Sequence, residues 1–133
     1  MADNTVIETV PTRLLIGGEW VDATGGGTFE VHNPADAGVL TRVADATPAD
    51  GERALAAAAA AQQEWRATEP RARGEILRKA FELLTGRADD FARLMTLEMG
   101  KTLAEARGEV TYGAEFFRWF SEEAVGGPGG RVG

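Results

Sequence analysis

Between Leu14 and Ala44 the apolar positions come in short runs separated by glycine and proline breaks. Leu14-Leu15-Ile16 and Glu19-Trp20-Val21 flank Gly17-Gly18. Two such runs around a glycine pair predict a hairpin whose turn needs positive φ. Thr28 to His32 alternates as a third strand, Asn33-Pro34 breaks it, and Val39 to Ala44 predicts a fourth. From Thr47 onward the apolar spacing changes to threes and fours, the helical period. Thr47-Pro48-Ala49-Asp50 places a capping threonine before a proline at the first helical position, predicting a helix to about Trp65. That helix runs through alanines 56–61, whose small side chains let a helix lie close to a neighbour. Glu69-Pro70 opens a second helix with Ile76, Leu77, Ala80, Phe81 and Leu84 inward and Gly86 as its cap. A third, over residues 88–98, turns Phe91, Leu94, Met95 and Leu97 inward, and its opening Asp89 and Asp90 suit the positive end of a helix dipole.

The last helix carries the most information. Met99-Gly100-Lys101 reads as a reversal, because glycine accepts the left-handed conformation that closes a helix. Thr102 and Glu105 then form a T-x-x-E capping box. Beyond it Leu103, Ala106, Val110, Gly113, Ala114, Phe117 and Phe120 draw one apolar stripe, and Arg118 and Glu122 stand at ion-pair spacing. Tyr112, Phe116 and Trp119 make a second, aromatic row. Gly108 and Gly113 each cost roughly 1 kcal/mol against alanine inside a helix, which predicts a neighbouring backbone packed close to them. A helix with two apolar sides needs two partners, and the chain is not expected to supply both.

Composition narrows the function classes. The 133 residues are 44% hydrophobic and 26% charged, an ordinary globular balance. A net charge of −7 speaks against nucleic acid as a partner. With no cysteine, the chain offers no disulfide, no thiolate ligand and no cysteine nucleophile. The N-terminus lacks the pattern of a signal peptide, and no run reaches the roughly 20 apolar residues of a membrane span. A soluble cytoplasmic protein with no membrane partner is the expectation. Residues 1–12 are expected to be a flexible N-terminus and residues 13–125 one folded portion without an interior linker. The Gly-rich stretch 126–133 abandons the amphipathic pattern and reads as a tail or a truncation scar.

No constellation supports catalysis. Ser121 is the lone serine and His32 the lone histidine, too few for a triad or a metal cluster. His32 fits a strand-end surface position better than a ligand or base. The Gly25-Gly26-Gly27 loop has a phosphate-cradling alternative, but no lysine follows as in a P-loop. Asp89 and Asp90 leave a metal reading open, and Lys101 an anion contact. No G-x-G-x-x-G follows a strand, so an autonomous dinucleotide site is not encoded. Catalytic, cofactor-binding and metal residues are therefore all expected to be none within this chain. The residues alone describe an α+β fold of N-terminal β-hairpins followed by about four helices. A small acidic helical protein-interaction module, docking a partner through the surplus aromatic row, is one function class that fits it.

Four segments in this order resemble the N-terminal part of the aldehyde dehydrogenase superfamily. They are LLIGGEWVDATGGGTFEVHNPADAGVL, the alanine-rich helix ending EWRA, RARGEILRKAFELL, and LMTLEMGKTLAEARGEVTYGAEFFRWFSEEA. The last is most like the succinate-semialdehyde dehydrogenase branch. The resemblance implies an α/β enzyme with a Rossmann-type cofactor domain, of which residues 13–125 are the N-terminal portion. It implies NAD(P)-dependent oxidation of a small aldehyde, NAD or NADP as cofactor, and a homo-oligomer for the complete enzyme. It also implies that the thiolate nucleophile, the general-base glutamate and the nucleotide contacts lie downstream, so this chain alone is expected to bind no cofactor and to be inactive. One carry-over falls on this chain: the helix over 103–122 flanks the substrate entrance in the family, which makes Tyr112 and Phe116 substrate-tunnel candidates, against the alternative that both are core aromatics.

Overall fold

The computed structural model describes residues 5–126, so all of the 126–133 tail except Gly126 lies outside the described residues. Within the segment expected to be flexible, residues 5–8 form a single helical turn, α1 (Thr5–Glu8). Thr9 closes that turn by donating its hydroxyl to the Val6 carbonyl at 2.9 Å. The four strands fall where the alternation places them: β1 (Leu14–Ile16), β2 (Glu19–Val21), β3 (Thr28–His32) and β4 (Val39–Ala44). β1 pairs antiparallel with β2, setting Leu15 opposite Trp20. Gly17 and Gly18 take φ of 63° and 86°, the two positive values a tight hairpin turn requires. β3 and β4 form a second antiparallel pair with an irregularity between Val31 and His32. Four further helices follow: α2 (Pro48–Ala67), α3 (Pro70–Gly86), α4 (Ala88–Met99) and α5 (Leu103–Gly126). The architecture is α+β, as expected.

The chain divides into two compact units, Met1–Arg66 with Leu97–Gly100, and Ala67–Thr96 with Lys101–Gly133. The sequence, lacking an interior linker, gives no sign of that boundary. In the first unit the organising group is Asp50, whose side chain is 1% exposed and is the one buried residue of α2. Its carboxylate accepts the backbone N–H and hydroxyl of Thr47 at 2.8 and 2.9 Å, a T-x-x-D version of the capping box. It also accepts the Thr24 hydroxyl at 2.7 Å, the Thr24 N–H at 3.1 Å and Arg53 at 2.6 Å. The glycine-rich loop 23–27 is thus pinned at Thr24 to the start of α2. Its bonds to the Thr47 N–H, and next to the Thr24 hydroxyl, hold the Asp50 carboxyl well below the usual carboxylate range. Along the rest of α2 the expected close packing is sparse. Leu55 is 72% and Trp65 43% exposed, and both stand on a bare stripe with Ala58, Ala59, Ala61 and Gln62.

In the second unit α3 lies along α5, and α4 meets α5 through very small side chains. Ala92, Ala106 and Val110 form its buried centre, with Ala88, Phe91 and Met95 packed against it. The buried side of α5 continues through Ala114 and Ser121. The close backbone approach expected at Gly108 and Gly113 occurs elsewhere. A Cβ built at either of those glycines meets nothing within 4 Å, whereas one at Gly74 of α3 would lie 2.8 Å from the Ser121 carbonyl oxygen. Gly74 therefore sets how near the two helices come. The inward lists need correcting too. Ile76, Leu103, Phe117 and Phe120 remain exposed, because the helix stripes are wider than the surfaces available to cover them. Gly86 ends α3 as its last residue, but the capping position is Arg87 at φ −118°, so no left-handed closure occurs there.

Candidate functional site

Gly100, at φ 76°, ends α4 as the sequence requires, and a Cβ there would press to 3.0 Å of the Pro34 ring. The reversal then feeds α5 through its predicted capping box. The Thr102 hydroxyl donates to Glu105 at 2.9 Å, and the Glu105 N–H returns to that hydroxyl at 3.3 Å. The Thr102 hydroxyl, and next its backbone N–H, pull the Glu105 carboxyl below its ordinary range. Lys101 is paired with Glu109 and its side chain is only 18% exposed, so it is engaged within the chain rather than offered to an anion. Arg107 reaches Asp89 at 2.8 Å, tying α5 to the start of α4. Arg118 is held between Glu115 at 2.7 Å and Glu122 at 3.2 Å, the second being the predicted pair. Glu115 foremost raises the Arg118 guanidinium pKa.

These contacts fix the rotation of α5 and leave its second face outward. Tyr112, Phe116 and Trp119 are 69%, 48% and 58% exposed. Tyr112 and Phe116 meet edge to face, with ring centroids 5.0 Å apart and planes at 89°, the arrangement aromatic quadrupoles favour. With Trp119, Phe120 and Glu115 they line a shallow groove of about 370 Å³. A second groove of about 250 Å³ continues from it over Phe116, Phe117, Phe120 and Leu77 of α3. Both tunnel candidates therefore sit together on one bare apolar surface, and within this chain neither is a core aromatic. That surface can receive apolar matter. Its acidic wall residue, Glu115, is tied up by Arg118.

The other candidates are accounted for locally. His32 sits exposed at the end of β3, with Nδ1 3.2 Å from the Ala37 carbonyl and Nε2 3.3 Å from Glu30. Asp89 pairs with Arg107 and Asp90 with Arg87, and among the described residues no group of three acidic or histidine side chains could hold a metal. In the glycine loop the Gly26 N–H donates to the Ala23 carbonyl at 2.8 Å, and the nearby start of α2 is closed by its own Asp50. A phosphate would find that helix end occupied. The sequence reading missed Asp50 and Gly74. The first was detectable, since Thr47 and Asp50 have the same spacing as Thr102 and Glu105.

Residues 20–131 match the model of the aldehyde dehydrogenase family. The succinate-semialdehyde dehydrogenase of Paenarthrobacter nicotinovorans is 66% identical over 87 residues, covering 65% of this chain and 19% of that protein. A succinate-semialdehyde dehydrogenase of Escherichia coli, whose name specifies NADP(+), is 47% identical over 111 residues, or 84% of this chain and 23% of its own length. The crystal structure of the succinate-semialdehyde dehydrogenase from Burkholderia pseudomallei superposes with a TM-score of 0.83 at 41% identity, over 92% of this chain and 25% of that one. This chain thus spans a quarter or less of the length of these relatives. The family model spans most of the chain and relatives over 40% identical cover more than two thirds of it: the chain belongs to the aldehyde dehydrogenase family.

Proposed function

We propose that residues 13–125 form the N-terminal portion of the cofactor-binding domain of an NAD(P)-dependent aldehyde dehydrogenase. The substrate is a small aldehyde bearing a carboxylate, succinate semialdehyde foremost, oxidised to its acid in the cytoplasm by a homo-oligomeric enzyme. The 66% identity to the Paenarthrobacter nicotinovorans protein carries this reading. With no cysteine among its 133 residues, the chain has no thiolate to attack the aldehyde and is inactive by itself. Its contribution is positional: Asp50 and Gly74 hold the helices, and α5 presents Tyr112 and Phe116 to the path the substrate takes. The reading as an independent acidic interaction module gains no support from the relatives, which are aldehyde dehydrogenases.

A chimera tests this. Residues 13–125 replace the corresponding stretch of the Paenarthrobacter nicotinovorans enzyme, and NAD or NADP reduction is followed with succinate semialdehyde. The expected result is an active chimera in which Tyr112→Ala raises KM for the aldehyde more than KM for the cofactor. A soluble but inactive chimera refutes the assignment. Equal effects on both KM values remove Tyr112 from the substrate path.

A further inference from the structure

One hollow in the first unit is lined mainly by polar groups. It holds about 210 Å³ and lies between the two hairpins. Local pairings build it. Arg13 and Asp22 stand just beyond the paired ends of β1 and β2, where Leu14 faces Val21, and there the Arg13 Nε donates to Asp22 Oδ1 at 2.8 Å. Arg42 of β4 lies opposite Glu30 of β3 and donates to it at 2.6 Å. The Arg42 Nε also donates to the Thr28 hydroxyl at 3.2 Å, which fixes that guanidinium in the wall. Thr12, Gly26 and Gly27 complete the polar side of the lining.

Its hydrogen-bonding groups are unevenly used. Three carbonyls of the lining are engaged: Thr12 accepts the Ala44 N–H, Ala23 that of Gly26 and Gly27 that of Asp45, at 2.8 to 2.9 Å. Donors are left over. Among the described residues, the Thr12 hydroxyl and both terminal amino groups of Arg13 have no partner. Charge leans the same way, because Arg13 and Arg42 against Asp22 leave the lining with one surplus positive charge, in a chain of net −7. Unspent donors beside a local cation surplus select a negatively charged acceptor. Since Asp22 meets only Nε, the far end of the Arg13 guanidinium keeps a two-pronged fork that matches two oxygens of one oxyanion. We propose that this hollow binds a small oxyanion, a carboxylate or a phosphate, gripped by the Arg13 fork and the Thr12 hydroxyl and faced by Arg42. Such an ion links the segment before β1 to β4. The site is independent of the aldehyde-oxidising reading above.

The test uses the full chain at neutral pH, with inorganic phosphate in one arm, succinate in a second and sodium chloride of matched ionic strength as the reference. In about 20 mM phosphate or succinate, Tm should rise by about 3 °C over the chloride reference, because an ion bound only by the folded chain stabilises it. Arg13→Ala should remove the rise. Arg13→Lys, which keeps the charge and loses the fork, should retain less than half of it. Asp22→Asn, which removes the opposing charge, should enlarge it. Amide nitrogen–proton spectra of the original chain should show saturable shifts centred on Thr12, Arg13, Gly27 and Thr28, a readout that stands even if a variant fails to fold. Saturation by phosphate alone, by succinate alone or by both supports the site and identifies its oxyanion. An equal Tm rise in Arg13→Ala, which marks general salt stabilisation, overturns the proposal. So do shifts that fail to saturate, or that centre on the start of α2 instead.

Discussion

Gly74→Ala opposes two effects whose sizes can be compared. Replacing glycine by alanine inside a helix gains about 1 kcal/mol from propensity alone. At Gly74 the new methyl would sit 2.8 Å from the Ser121 carbonyl oxygen and 3.1 Å from a Val125 methyl. Carbon contacts become favourable only near 3.5 Å, so the overlap is roughly 0.7 Å against a backbone atom. A side chain could rotate away; a carbonyl within α5 moves only if the helix moves. Overpacking of this kind costs typically about 1–3 kcal/mol. The net expectation is a loss of up to about 2 kcal/mol, or a Tm lower by up to about 10 °C for a chain of this size. Gly108→Ala and Gly113→Ala are the matched controls, because nothing stands within 4 Å of their built Cβ atoms. Each should stabilise by about 0.5–1 kcal/mol. Thermal unfolding of the three variants by far-ultraviolet circular dichroism decides the matter. A Gly74→Ala protein as stable as Gly108→Ala would refute the claim that backbone contact at Gly74 sets the α3–α5 approach.

Three further outcomes follow from the same contacts. Asp50→Asn removes the charge that Thr24, Thr47 and Arg53 converge on, and should lower Tm and raise proteolytic cutting in the 23–27 loop. Because the folded Asp50 carboxyl is held below its ordinary range, its stabilisation is present above about pH 4 and lost as pH falls through the acid range. Urea midpoints measured from pH 6 to pH 2 should therefore drop more steeply for the original chain than for Asp50→Asn. The Thr96 hydroxyl is buried without a hydrogen-bond partner, so Thr96→Val should raise stability by up to about 1 kcal/mol in the same urea series. The isolated chain mixed with succinate semialdehyde and NAD or NADP should show no absorbance growth at the reduced-cofactor band; growth would contradict the need for a thiolate from outside it.

Elements governed by local chemistry were legible in the sequence. The Gly17-Gly18 turn, the Thr102–Glu105 box and the Gly100 reversal each depend on residues within a few positions, and each is present as read. What escaped depends on partners distant in the chain. Nothing near Gly74 announces that Ser121 will lie against it, and nothing in A-T-G-G-G announces that Thr24 will bond Asp50, 26 residues on. The glycines of α5 show the complementary case: Gly108 and Gly113 call for a close neighbour, and the described residues place none within 4 Å of a Cβ built there. For the site, spacing alone placed Tyr112, Phe116 and Trp119 on one row. Which side of the helix that row occupies follows from the small residues Ala106, Ala114 and Ser121 taking the buried side, a choice periodicity cannot make when both stripes are apolar.

The outward placement of that row is open to one direct measurement. With Trp20, Trp65 and every downstream tryptophan of the chimera replaced by phenylalanine, Trp119 is the remaining indole in both molecules, and acrylamide quenching reports its contact with water. The account predicts efficient quenching in the isolated chain and at least severalfold weaker quenching in the fused chimera, where the downstream fold covers it. Trp119 equally shielded in both, while the isolated chain stays monomeric, would contradict it.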